Sequence, residues 1–190
     1  MRRIVIFFAA LSVAISMMAQ EHLTFKGIPI EGSMTEFCQK LKAKGFTSIG
    51  QENDIVLFTG DFTGREATVG VTATDDGEKV FSVVVLFDPC GEWNTLVNTY
   101  DYYKDLYSRK YGRPTISEEK NPALSDYNTA LMAEVYQGTV VYGSVWEVAG
   151  GEIQLSIEKS PVGVYEGMVM IRYIDSQNVE AKIQDDLEDI

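Results

Sequence analysis

Two thirty-residue stretches, Phe58 to Phe87 and Ser144 to Tyr173, match at a constant offset of 86 positions. In the first, Ala67, Val69, Val71 and Ala73 alternate with Thr68, Gly70, Thr72 and Thr74; in the second, Ile153, Leu155 and Ile157 alternate with Glu152, Gln154, Ser156 and Glu158. Strict period-two alternation marks a strand with one buried face. The same offset carries Val83, Val85 and Phe87 onto Val169, Ile171 and Tyr173, and Gly64 onto Gly150. A strand set repeated at so long an interval constrains the chain to a two-unit architecture. The expected fold class is α+β, with two tandem helix-plus-four-strand units, about residues 31–88 and 89–175, forming an antiparallel sheet with two helices on one face.

The units can be followed in order. Glu21 to Ile30 is an extended leading segment. Ser33 and Glu36 form a capping box, after which Met34, Phe37, Cys38 and Leu41 share one face of a helix that ends at Gly45. Strands are expected at 46–49, 55–60, 65–74 and 79–87, with Asp75-Asp76-Gly77 as a hairpin turn rather than the start of a calcium loop, whose later ligands are missing. Asp88 and Pro89 open a second helix carrying Trp93, Leu96, Val97, Tyr100, Tyr103, Tyr107 and Tyr111 on one broad face up to Gly112. That aromatic stripe suits core packing, with a ligand-stacking surface as its alternative. Matching the helix ends Gly45 and Gly112 gives an offset of 67 against 86 for the strands, so the second unit holds 19 extra residues. They fall in the polar segment Arg113 to Asn128, which reads as a loop and a candidate partner contact through Glu118 and Glu119. Strands resume at 130–136, 139–148, 151–158 and 167–174. An acidic tail, 176–190, can form a last amphipathic turn through Val179, Ile183 and Leu187.

Arg2 and Arg3 followed by the apolar run Ile4 to Ile15 and a small residue at Ala19 have the form of a signal peptide over 1–19, leaving one domain, 20–190. The mature chain is then expected to be exported, periplasmic or extracellular, with no membrane span. Its charge, 14 basic residues against 28 acidic once Arg2 and Arg3 are removed, is -14. Such a surface repels phosphate backbones, so nucleic acid is not an expected partner. In an oxidising compartment Cys38 and Cys90 either form one disulfide or remain small buried thiols.

If Gly150-Gly151 forms the hairpin loop, Val148 lies opposite Ile153 and Trp146 opposite Leu155; the same rule sets Phe62 opposite Ala67. Trp146 then joins the helix-covered face. Ile55, Leu57, Val84, Leu86, Val145, Met168, Met170 and Arg172 fall on the other face. With two helices available, that face is either open and a binding surface, or covered by the leading segment or the tail.

Chemistry is sparse. The only histidine, His22, stands beside the expected new terminus, so a serine or cysteine nucleophile lacks its usual base. Two cysteines and one terminal histidine do not make a zinc site. No Walker loop or GxGxxG follows a strand, and no cofactor is expected. Paired carboxylates for glycoside hydrolysis remain open among 28 acids.

The opening His22 to Phe46, with GIPI-x-G…F…KLKxKGF, resembles a family of small exported proteins of Gram-negative gut anaerobes without a characterised function. It supplies no catalytic residue. The tandem layout is similar to the β-lactamase inhibitor protein-like fold, whose sheet face grips its target; this implies the architecture and, by analogy alone, a binding role. The expected function is thus a non-catalytic exported binding module that contacts a protein partner through the open face and the 113–128 loop. The alternatives are a carboxylate-dependent hydrolase acting on glycan or peptide, and a homodimer-forming structural protein.

Overall fold

The computed structural model describes residues 21–120 and 127–188. The expected signal peptide, the middle of the 113–128 segment and the last two residues of the tail lie outside the described residues. Over the described residues the fold is α+β, with four helices, one eight-stranded antiparallel sheet and a two-stranded sheet. In chain order these are β1 (Thr24–Phe25), β2 (Ile28–Pro29), α1 (Met34–Ala43), β3 (Thr47–Glu52), β4 (Ile55–Phe62), β5 (Arg65–Ala73), β6 (Val80–Leu86), α2 (Trp93–Tyr111), β7 (Ile116–Lys120), α3 (Asn128–Gln137), β8 (Val141–Val148), β9 (Gly151–Lys159), β10 (Gly167–Asp175) and α4 (Ser176–Glu188). The large sheet runs β3-β4-β5-β6-β10-β9-β8-β7.

The alternating strands put Phe58, Val69, Val71, Val83, Val85, Trp146, Ile153, Leu155 and Ile171 on one face, all buried. Phe37 and Leu41 of α1, Leu96, Tyr100 and Tyr103 of α2, and Met132 and Val135 of α3 close over it as one core. The expected capping box is present: Ser33 Oγ accepts from the Glu36 amide and Glu36 Oε2 from the Ser33 amide, both at 3.4 Å. The leading segment joins this same side of the sheet. Phe25 stacks on Phe62 at 5.8 Å and meets Tyr173 edge-on, so the segment covers the core and not the second face.

Several expectations are corrected. The register is displaced by two residues: Trp146 pairs with Ile153 and Val148 with Gly151, while Phe62 pairs with Arg65 and Gly60 with Ala67. The turn is Ala149-Gly150, because Gly150 takes the positive φ of 86°. Gly151 is needed inside the sheet, where a Cβ would stand 2.0 Å from the Ile174 carbonyl oxygen. A two-residue shift preserves the faces, so Trp146 is buried as expected.

Residues 128–137 form a helix, not a strand. Helix-favouring Ala, Leu, Met and Glu are closed by Gly138 in the left-handed conformation. The extra segment before it is not all loop, since 116–120 pairs with β8 as the edge strand β7. Helix α2 begins at Trp93 and not at Asp88, because Cys90 exchanges both backbone hydrogen bonds with Gly167. Asn128 then caps α2 from outside: its Oδ1 accepts from the Trp93 amide at 2.8 Å and its Nδ2 donates to the Gly91 carbonyl at 2.9 Å. The tail is helical over Ser176–Glu188, and Asp175 supplies its first-turn acceptor, taking the Asn178 amide at 3.0 Å. None of the described helices is long and apolar enough to cross a membrane.

Candidate functional site

The second face of the large sheet can be read off the strand pairing as three rows. The middle row is Leu57, Gly70, Val84, Arg172, Gln154, Val145 and Ile116, from β4 to β7. Beside it on one side run Thr59, Thr68, Leu86, Met170, Ser156, Gly143 and Glu118; on the other run Ile55, Thr72, Ser82, Ile174, Glu152 and Glu147. The two halves differ in chemistry. Across β4 to β6 the face is threonine and aliphatic, and Ile55, Leu57 and Val84 close over Gly70. Across β7 to β10 it is mixed, with a hollow of about 530 Å³ lined by Glu118, Val145, Gln154, Ser156, Met170 and Arg172 among others.

The structure thus brings Leu57, Val84, Leu86, Val145, Met170, Arg172 and Glu118 onto one surface, the first five half-buried and Arg172 exposed. Among the described residues Arg172 has no carboxylate within ion-pair distance; its guanidinium lies 3.9 Å from the Met170 sulfur. Two expected members do not belong. Met168 is on the same side of β10 but only 5% exposed, too deep to meet a partner. Glu119 projects to the opposite side, because neighbouring residues of β7 alternate, and pairs there with Lys104 of α2. Gln154 and Ser156 also belong to this face, and the alternation of β9 sends them to the side opposite Ile153 and Leu155.

Glu119 belongs to the polar cluster that comes closest to catalytic machinery. Tyr100 Oη donates to Glu119 Oε1 at 3.1 Å and shares a 2.6 Å hydrogen bond with Ser144 Oγ, and Ser117 Oγ lies 3.0 Å from Ser144. Burial pushes the Tyr100 phenol well above its usual range, the Ser144 hydrogen bond opposes this, and Glu119 adds to it. Burial also opposes ionisation of Glu119, but Lys104 and the neighbouring hydroxyls outweigh it and hold the carboxyl below its ordinary value. A tyrosine fixed in its protonated form is a poor base for Ser144. The cluster is a satisfied hydrogen-bond network that ties β7 and β8 to α2.

The cysteines are free thiols, so the disulfide alternative is not realised. Cys38 packs on the core side of α1, where burial raises its pKa against the opposing pull of Lys42. Cys90 turns its sulfur into the local bend, accepting from the Glu92 amide at 3.2 Å. His22 is not a loose terminal residue: its Nδ1 stands 3.1 Å from Asp175 Oδ2, which also accepts from the Leu23 amide at 2.9 Å. The leading segment is thereby clasped to the start of α4. Among the described residues no group of three or more His, Cys, Asp or Glu is placed to hold a metal ion.

A second concavity lies on the core side, between α2 and the β1–β2 hairpin. It encloses about 230 Å³ and is lined by Lys26, Phe62, Thr63, Tyr103, Tyr107, Lys110, Tyr111 and Tyr173 among others. The aromatic stripe of α2 supplies three of those rings, and the lysines had no sequence signal beyond ordinary surface charge.

No family model, curated protein or solved structure matches the chain.

Proposed function

We propose that this is an exported, non-catalytic binding module made of two helix-plus-four-strand units, and that the open sheet face is where it holds a segment of a partner protein. The unit repeat is supported by register. Adding 86 to both members of the pair Phe62 and Arg65 gives the pair Val148 and Gly151, and adding it to Gly60 and Ala67 gives Trp146 and Ile153. Val85 and its counterpart Ile171 stand opposite each other where β6 meets β10, which is the contact a two-fold relation between units would produce. The 19 extra residues of the second unit are then accounted for largely by α3 and its flanks.

The observation that carries the binding role is the quartet around that point: Val84, Leu86, Met170 and Arg172. By the repeat Val84 corresponds to Met170 and Leu86 to Arg172, so a near-symmetric backbone presents an apolar first half and a guanidinium-bearing second half. A fitting partner segment is extended or looped, with a carboxylate for Arg172 flanked by apolar side chains for Leu57, Leu86 and Met170. A second copy centred on the same point would bring two Arg172 guanidiniums together, which disfavours a dimer through this face. The acidic remainder of the surface would repel wrongly placed acidic partners.

The test compares tagged mature protein with its R172E and M170E variants in capture from the envelope and medium of the producing cell, after thermal unfolding has shown all three to be folded. The expected result is a protein held by the parent and lost by R172E, with binding restored when the partner's contacting carboxylate is changed to lysine. Capture that is the same for parent and variants, no capture by the parent, or a parent that sediments as a dimer dissociated by R172E would each overturn the reading.

A further inference from the structure

The cavity between α2 and the β1–β2 hairpin has features that core packing does not require. Its floor is aromatic: Phe62, Tyr103, Tyr107 and Tyr173 are all buried, and Tyr107 and Tyr111 stack at 6.0 Å with 19° between planes. At its rim stand two exposed lysines. Lys26 Nζ donates to the Asp61 carbonyl at 2.8 Å and lies 5.3 Å from the Phe46 ring centre; Lys110 Nζ lies 4.8 Å from that of Tyr111. Among the described residues neither has a carboxylate partner. In a chain with 28 acidic residues against 16 basic ones, two such ammonium groups beside one cavity are a local reversal of charge.

The floor adds a second, independent sign. Tyr107 and Tyr173 hydrogen-bond to each other through their hydroxyls. Two hydroxyls carry two protons, and one bond between them uses one. The other proton has no acceptor among the described residues, although both side chains line the cavity. An oxygen on a ligand seated in the cavity can accept that proton.

From the aromatic floor, the spare hydroxyl proton and the two rim lysines, we infer that this cavity is a binding site for a small aromatic carboxylate. The ring of the ligand packs among the tyrosines in offset or edge-on geometry, its carboxylate faces Lys26 and Lys110, and an oxygen at its far end accepts from the Tyr107 and Tyr173 pair. A volume of about 230 Å³ lies below the roughly 300–1,000 Å³ of drug-sized sites, which limits the occupant to a single-ring acid. The site lies on the other side of the sheet from the open face, so it stands or falls independently of the proposed partner surface.

The experiment titrates the mature protein with 4-hydroxybenzoate and with its neutral isostere 4-hydroxybenzamide, following backbone amide shifts. The inference expects shifts confined to the cavity lining, at Lys26, Gly27, Thr63, Tyr107, Lys110, Tyr111 and Tyr173, with the acid bound at least tenfold tighter than the amide. In a K26Q/K110Q variant, whose substitutions are on the surface and whose fold the same spectra report, that preference should vanish while the amide is unaffected. Absence of saturable binding at millimolar acid, equal affinity for acid and amide, a preference that survives K26Q/K110Q, or shifts centred on Val145 and Arg172 would each overturn it.

Discussion

Gly70 offers a quantitative test of how the open face is packed. It lies at the middle of β5, where a Cβ would stand 2.9 Å from Val84 Cγ1 and 3.0 Å from Ile55 Cγ2. Carbon atoms in comfortable contact are about 3.5–4.0 Å apart, so G70A forces a shortfall of roughly half an ångström or more against two β-branched side chains. Valine and isoleucine are stiff at χ1, and strand pairing fixes the backbones on either side. Overpacking of this kind costs about 1–3 kcal/mol, while relief of glycine's backbone entropy returns about 0.5–1 kcal/mol. The net expectation is a loss of about 1–2 kcal/mol, equivalent to a melting point lowered by about 2–8 °C at this chain length. V84A removes the nearer obstacle, so the double variant G70A/V84A should lose less than the two single losses added together, with a coupling of about 0.5–1 kcal/mol. Urea unfolding of the four proteins measures the cycle. Strict additivity, or a G70A protein as stable as its parent, would show that the aliphatic side chains do not close over Gly70, and the description of this face would be wrong.

Two further predictions concern the other side of the sheet. Burial raises the phenols of Tyr100, Tyr107 and Tyr173 above their ordinary value, so the folded state keeps protons that the unfolded state releases; the stability this confers is intact below pH about 10 and declines as pH rises toward the folded values. Tyrosinate absorbance should therefore rise in two stages, exposed rings first and these three only with unfolding, and Y107F should flatten the alkaline decline by up to about 1.4 kcal/mol per pH unit; an unchanged slope would refute the assignment. Replacing Asn128, which caps α2 from α3, should cost about 1–2 kcal/mol as N128A in chemical denaturation, with N128D, which keeps the acceptor and loses the donor, falling between parent and alanine; equal stability of all three would remove the cap.

How much of this was legible follows from which contacts are local. The alternation in β5, β6, β9 and β10, the capping box at Ser33 and the face assignment of Trp146 depend on spacing along the chain, and they appear where spacing puts them. Hairpin register is ambiguous in the sequence because Gly150-Gly151 offers two glycines for one turn; only the approach of Ile174 to Gly151, 23 residues away in sequence, chooses between them. Strand β7 has one apolar residue, Ile116, and that one is 59% exposed, so no hydrophobic period announces it and pairing with β8 creates it. Helix α3 is legible in principle, since Met132 and Val135 are spaced for a helix and Gly138 ends it. The late start of α2 depends on Cys90 meeting Gly167, 77 residues away in sequence. Glu119 leaves the partner surface only once β7 is paired, because its alternation with Glu118 has no meaning in a loop.

The same sheet separates the two proposed sites and makes them independently testable. Arg172 and Tyr173 are neighbours on β10, yet alternation sends the guanidinium to the open face and the phenol to the cavity floor. Side chains on opposite faces of one sheet share backbone but no packing partners, and substitutions without shared partners add within a few tenths of a kcal/mol. R172E should therefore leave 4-hydroxybenzoate binding unchanged, and K26Q/K110Q should leave partner capture unchanged. A cross effect would have one structural route available, the register of β10 itself, which Gly151 and the Val85–Ile171 contact hold from both sides. If R172E weakened the aromatic acid severalfold without lowering stability, β10 would have to slide as a unit, and binding on one face would be linked to binding on the other through that strand.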